Sequence, residues 1–213
     1  VWEEGGLILL TGWLFNKRVF EILFPISDIA PNPHSLKTTQ HLFTSPRLGF
    51  RIWQDSDLDV FSAMNSDPET MKYFEKPLSK DESKAMMERM NKMYEDKGYC
   101  YFAVELLETG ELLGMIGMGW KTFEAEFTPC VDIGWRIRKE FWNRGYSTEG
   151  ASRCLDFAKE LGIQKVLSLA SSDNKASIRV MQKIGMEYWL DFDHPDLKKS
   201  KHLNPCSLYQ IIL

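Results

Sequence analysis

The second half of the chain switches repeatedly between two hydrophobic periods, and glycine marks several of the switches. Residues 131–138 alternate strictly. Val131, Ile133, Trp135 and Ile137 share one face, and Asp132, Gly134, Arg136 and Arg138 share the other, the period of a strand. A helical stripe follows, with Ala151, Cys154, Leu155, Ala158 and Leu161 on one side, and Gly162 ends it. A short apolar strand at 165–170, a second helix at 174–184 closed by Gly185, and strands at 186–192 and 208–213 complete the series. Strand–helix–strand connections are right-handed and place their strands parallel. This constrains the fold more than any other feature.

The first half pairs differently. Residues 48–53 read as a strand, and 57–65 as a short helix with Leu58, Phe61 and Met64 spaced by three. Ser79 and Glu82 form a capping box for a helix that runs to about residue 97, where Gly98 stops it. Its apolar stripe is Met86, Met87, Met90, Met93 and Tyr94. Two strands, 99–107 and 112–120, flank the turn Glu108-Thr109-Gly110 and predict an antiparallel hairpin. The expected fold is α/β of the α+β type, with a mixed, mostly antiparallel central sheet and helices on both faces.

A chain of 213 residues suits one large domain, or a domain and an appendage. Residues 1–44 are the candidate appendage, with apolar blocks at 7–10, 13–15 and 19–24 and three prolines in 25–33. They are expected either to dock on the domain formed by 45–213 or to pack on a second copy as a homodimer contact. The apolar stretch 5–15 is about half of what a bilayer span needs, and Glu3 and Glu4 stand where a secretory leader carries basic residues. Lys and Arg number 26 against 30 Asp and Glu, a net charge of -4. That balance gives no general attraction to nucleic acid or to anionic membranes. Cys100, Cys130, Cys154 and Cys206 form no C-x-x-C pair, and His34, His41, His194 and His202 are scattered. No metal site is expected, and reduced thiols point to the cytoplasm.

One loop carries chemistry. Trp142-Asn143-Arg144-Gly145-Tyr146-Ser147-Thr148-Glu149-Gly150 follows the alternating strand and opens a helix. Backbone N–H groups at a helix N-terminus hold phosphate, and Gly145 lets a ligand approach the backbone closely. Arg144 and Arg138 can add charge-assisted contacts. Ser147 or Thr148 is the expected cap, and Glu149 a first-turn carboxylate with a structural role.

In this setting the chain resembles the GNAT superfamily of acetyl-CoA-dependent N-acetyltransferases, most closely the branch of ribosomal-protein N-terminal acetyltransferases. Three motifs in order carry the resemblance: Asp132-Ile133-Gly134-Trp135, the loop at 142–150, and Asn174, Ser177, Lys183, Gly185 and Met186. The resemblance implies a sheet whose parallel centre is splayed. The pantetheine arm would enter that gap against the backbone of Trp135, Arg136, Ile137 and Arg138. The pyrophosphate would lie on Asn143, Arg144, Gly145, Tyr146, Ser147 and Thr148, and Asn174 and Ser177 would contact the arm. Asp132 stands at the family's acidic position as the base, with Gly134 leaving room for a ligand and Glu124 and Glu126 in reserve. Ser177 is the candidate acid, because Met181 replaces a tyrosine common in the family. The implied reaction is direct attack of a primary amine, on a protein N-terminus or a small molecule, upon acetyl-CoA. The replacement at Met181 keeps a second reading open, a non-catalytic acyl-CoA-binding regulator. Walls for the acceptor are expected from 66–97, 120–130 and 191–205, with Tyr73, Phe74, Trp120, Phe123 and Phe127 as candidate lining residues.

Overall fold

The computed structural model of the protein describes residues 40–197 and 200–213. The question of where residues 1–39 pack lies outside the described residues. Eight strands form one sheet: β1 (Phe43–Thr44), β2 (Leu48–Arg51), β3 (Tyr101–Leu106), β4 (Leu112–Lys121), β5 (Cys130–Ile137), β6 (Lys165–Ser171), β7 (Glu187–Phe192) and β8 (Cys206–Ile212). Four α-helices join them: α1 (Leu58–Ser66), α2 (Lys80–Lys97), α3 (Tyr146–Glu160) and α4 (Lys175–Lys183). The spatial order is β1-β2-β3-β4-β5-β6-β8-β7. Every neighbouring pair is antiparallel except β5 with β6. The mixed sheet with one parallel centre is the architecture that the hydrophobic periods imply.

Local signals act where the sequence carries them. Ser79 accepts from the Glu82 N–H while Glu82 reaches back to the Ser79 N–H, and Gly98 ends α2 in the left-handed conformation. The strand expected at 208–213 starts two residues earlier, at Cys206, and β8 is inserted between β6 and β7. A two-residue strand, β1, extends the sheet upstream of residue 45. Its Phe43 is buried, stacked on Phe50 at 4.5 Å and on Phe157 of α3 at 4.4 Å. Phe102 closes this cluster edge-on. Burying each such side chain contributes about 1.5–3 kcal/mol, so this end of the sheet is firmly held to α3.

The two sheet faces do different work. Phe50 and Ile116 face α3, where they touch the space around Gly150. On β5 this face carries Ile133 and Trp135. The opposite face carries Tyr101, Gly117, Gly119, Asp132, Gly134 and Arg136, and α1 reaches it through Asn65, which bonds Arg136. The candidate carboxylate, Asp132, is therefore on the α1 side of the sheet, and the loop at 142–150 opens the helix on the other side.

Candidate active site

The site begins where the two parallel strands part. β5 and β6 share one registered pair, Asp132 with Leu167. Both strands continue beyond it, to Ile137 and Ser171. At the fork the Ser168 hydroxyl, buried, donates to the Ile133 carbonyl at 2.9 Å. A side chain thus takes the place of the next ladder bond, and no registered pair joins the strands beyond it. Such an arrangement leaves strand backbone available to an extended ligand.

A cleft of about 530 Å³ runs from this fork. Its walls come from the 71–78 segment and α2, from β3–β6, from the start of α4 and from the 194–206 segment. Asp132, Asn174, Ser177 and Met181 all line it, so the structure brings together the candidate base, the candidate acid and the residue at the tyrosine position. Asn174 caps α4, its Oδ1 accepting from the Ser177 N–H at 3.1 Å. That bond fixes the first turn of α4 and turns Ser177 toward the cleft wall. Tyr73, Phe74 and Phe123 line the cleft as expected. Trp120 falls on the other face of β4 and lies under Lys97, whose Nζ is 4.7 Å from its ring. Phe127 packs on Phe123 and Phe192.

Asp132 is buried, and its Oδ1 accepts a 2.6 Å hydrogen bond from the Tyr101 hydroxyl. Burial pushes its carboxyl pKa up. Lys121, with Nζ 3.7 Å from Oδ2, pulls it back, as do the Tyr101 hydroxyl and the Gly119 N–H. Burial and the adjacent carboxylate hold the Tyr101 phenol well above its usual pKa, so it remains the donor. Two glycines make this pair fit. A Cβ at Gly119 would lie 2.8 Å from both Asp132 Oδ1 and the Tyr101 hydroxyl, and one at Gly134 would lie 3.2 Å from the Tyr101 ring. The room beside Gly134, expected for a ligand, is thus taken by Tyr101. Neither Tyr101 nor Lys121 is visible as a site residue in sequence. Tyr101 is thirty-one positions from Asp132, and its strand is buried along almost its whole length, so no alternation marks it.

The phosphate-type loop has the geometry its sequence implies. Asn143 and Gly145 both have positive φ, 61° and 80°, and α3 begins at Tyr146. Gly145 stands at the N-cap position and no side chain caps the first turn. Ser147 and Thr148 sit inside the helix instead. The first-turn N–H groups therefore keep the open valence that an anion needs. Gly145 is required by its backbone conformation rather than by crowding, since the nearest atom to an added Cβ is Arg47 Nη2 at 3.6 Å. Arg144 holds its guanidinium carbon 5.7 Å from the Phe141 ring centre. Arg138 turns elsewhere and bonds Glu111 at 3.0 Å and the Leu112 carbonyl at 2.9 Å. Glu149 accepts from Ser45 Oγ, from the Arg47 N–H and from Arg47 Nε, tying the β1–β2 turn to the first turn of α3. The forked strands, the open helix start and Asn174 together fit a thioester donor with a long arm and a pyrophosphate.

Comparison with known proteins decides the family. Residues 47–187 match the acetyltransferase (GNAT) domain. The chain belongs to the GNAT acetyltransferases. It is 31% identical over 144 residues to the uncharacterised protein YkkB of Bacillus subtilis (strain 168), covering 67% of this chain and 83% of that protein. A solved GNAT-family acetyltransferase from Bacillus anthracis superposes with a TM-score of 0.64 at 26% identity, over 79% of this chain and 96% of that one. RimL, a ribosomal L7/L12 alpha-N-protein acetyltransferase solved in complex with coenzyme A, gives a TM-score of 0.65 at 15% identity, over 82% and 98% of the two chains, and speaks for the fold alone. The protein is an acetyltransferase of the GNAT fold. Among the described residues no helix is long and apolar enough to cross a membrane.

Proposed function

We propose that this GNAT enzyme transfers the acetyl group of acetyl-CoA to a primary amine, on a protein N-terminus or a small molecule, by direct attack with Asp132 as the base. The observation that carries the reading is the buried Asp132 carboxylate in the cleft at the strand fork, held by Tyr101 and sharing the cleft with Asn174 and Ser177. The amine nitrogen attacks the thioester carbonyl carbon, an N–C bond forms and the C–S bond breaks. Asp132 takes the proton that the nitrogen loses, and the departing thiolate takes a proton from the Ser177 hydroxyl or from water. A backbone N–H of β5 beyond the fork is suited to the oxyanion. The donor lies with its arm along Trp135, Arg136, Ile137 and Arg138 and its pyrophosphate on residues 143–148. The four cysteines are free thiols, which suits a reducing compartment such as the cytoplasm.

Thiol release from acetyl-CoA across a panel of amines tests the assignment. Asp132→Asn is expected to lower kcat by about 10²–10⁴, the range of a lost general base. Full turnover in both Asp132→Asn and Ser177→Ala would remove both residues from the mechanism. Met181, buried in the cleft where a proton donor is common in the family, supports a second reading, an acyl-CoA-binding regulator. Tight acetyl-CoA binding with no transfer to any amine favours that one.

A further inference from the structure

Among the described residues two arginines are buried, and the fold treats them differently. Arg51 on β2 is 6% exposed, and carboxylates surround it: Asp57 takes its Nη1 and Nη2 at 2.6 and 2.8 Å, and Glu105 takes its Nε at 2.8 Å. Arg136 on β5 is 7% exposed. Its Nη1 donates to the neutral Asn65 side chain at 2.6 Å, and its guanidinium carbon lies 4.0 Å from the Phe74 ring centre. Its Nε is buried without a hydrogen-bond partner, and no carboxylate among the described residues pairs with it. Burial draws its pKa down to about 10, so it is still charged at neutral pH. A buried cation without a counter-ion is strongly unfavourable, and the side chain lines the cleft. The missing anion is expected to arrive with a ligand.

The donor does not supply that anion. Its phosphates belong to the open start of α3, on the other face of the sheet, and its arm is uncharged. Arg136 instead shares the α1-side face with Asp132, four residues along the same strand and about 13 Å away at strand rise.

We propose that Arg136 anchors a carboxylate of the acceptor, so that the substrate class is a compact molecule bearing both a primary amine and a carboxylate, of the amino-acid type. The inference rests on the amine-acetylating reading above and specifies its acceptor. A guanidinium takes a carboxylate in a planar, two-pronged bond, and Asn65 and Phe74 hold this one from the side and face. Anchoring there would direct the amine of the same molecule to Asp132.

The test uses matched acceptors: phenylalanine, phenylalaninamide and phenethylamine, and lysine, lysinamide and cadaverine. Thiol release is followed in the wild type, Arg136→Gln and Arg136→Lys. The amino acid of each set is expected to exceed its amide and amine by about tenfold or more in kcat/KM, the order that a charge-assisted bond contributes. Arg136→Gln should erase that difference by raising KM for the carboxylate-bearing acceptor, a larger loss than any it causes with acetyl-CoA or with the carboxylate-free amines. Arg136→Lys should restore part of it. Equal use of amide and acid, or a preference that survives in Arg136→Gln, overturns the inference while the acetyltransferase reading stands. An Arg136→Gln loss that is equal for carboxylate-free amines also overturns it, because Arg136 then serves the departing thiolate. If no acceptor turns over, calorimetry on the CoA-loaded protein compares N-acetylphenylalanine and N-acetyllysine with their amides. About tenfold tighter binding of the acids supports the anchor, and equal or absent binding overturns it. If Arg136→Gln does not fold, the acid-against-amide comparison in the wild type decides.

Discussion

The base proposed at Asp132 would work only when ionised, and its surroundings set the pH at which that happens. Burial raises its pKa above the ordinary aspartate value, and the Tyr101 bond is one of the groups that oppose the rise. The acid limb of kcat/KM should therefore lie above the ordinary aspartate value. In Tyr101→Phe an interaction that favours the carboxylate is gone, so the limb should move to higher pH, with most activity lost on the acid side and least on the alkaline side. A pH–rate profile that does not move would remove Tyr101 from the positioning of the base. The stability sign is opposite to that of an ordinary ion pair. Asp132 has a folded pKa above its unfolded one, so the fold is most favoured below the unfolded value and loses stability as pH rises through the folded value. Asp132→Asn removes that cost and can still accept the Tyr101 hydroxyl bond. Its Tm at pH 7 should equal or exceed that of the wild type while turnover collapses, a separation of fold from function that thermal denaturation and thiol release measure together. Gly119→Ala should do the reverse. Its Cβ falls 2.8 Å from both members of the pair, and a cost of about 1–3 kcal/mol is expected for forcing a methyl into packed space.

At the scale of elements, the start of α3 is left uncapped, which suits the phosphate contact proposed there, and Glu149 anchors it from below. Three hydrogen bonds converge on the Glu149 carboxylate from Ser45 and Arg47. Burial raises its pKa, but those bonds outweigh burial and hold it below the usual glutamate value. The stability it contributes is present above its unfolded pKa and is lost as pH falls through the lower folded one. Glu149→Gln should cost about 1–3 kcal/mol at pH 7, and denaturant unfolding should show the gap to the wild type closing as pH falls below the ordinary glutamate range. Elements of this kind were legible in the sequence because their signals are local. The alternation at 131–138, the Ser79–Glu82 box and Gly98, Gly162 and Gly185 each act within a few residues of themselves. The insertion of β8 between β6 and β7 has no local signal, since hydrophobic period fixes which face is buried and not which strand lies next. β1 is too short for any period to register. The same limit applies to the site. Asp132, Gly145, Asn174 and Ser177 sit in motifs that are compact in sequence, whereas the Tyr101–Asp132 and Asn65–Arg136 bonds join residues 31 and 71 positions apart. Only the folded sheet and the helix over it bring those partners together.

For the whole domain, the proposed donor site is a seam rather than a pocket in one element. The fork divides the sheet between β5 and β6, where one registered pair and the Ser168–Ile133 bond join the two halves, and α3 and α4 start on either side of it. A ligand that bridges the fork binds the native state and has no equivalent site in the unfolded chain, so donor binding should stabilise the fold as one unit. At a donor concentration one hundred times Kd the gain is about 2.7 kcal/mol, which for a domain of this size corresponds to a rise in Tm of roughly 5–10 °C. Acetyl-CoA and CoA should both produce it, because arm and pyrophosphate are common to the two. Gly145→Val places a β-branched residue at a φ of 80°, a conformation it resists. Measured against its own ligand-free Tm, that variant should lose most of the shift while Asp132→Asn keeps all of it. A Gly145→Val protein that retains the full shift would move the pyrophosphate away from the start of α3, and an Asp132→Asn protein that loses it would make the carboxylate a donor contact instead of the base for the amine.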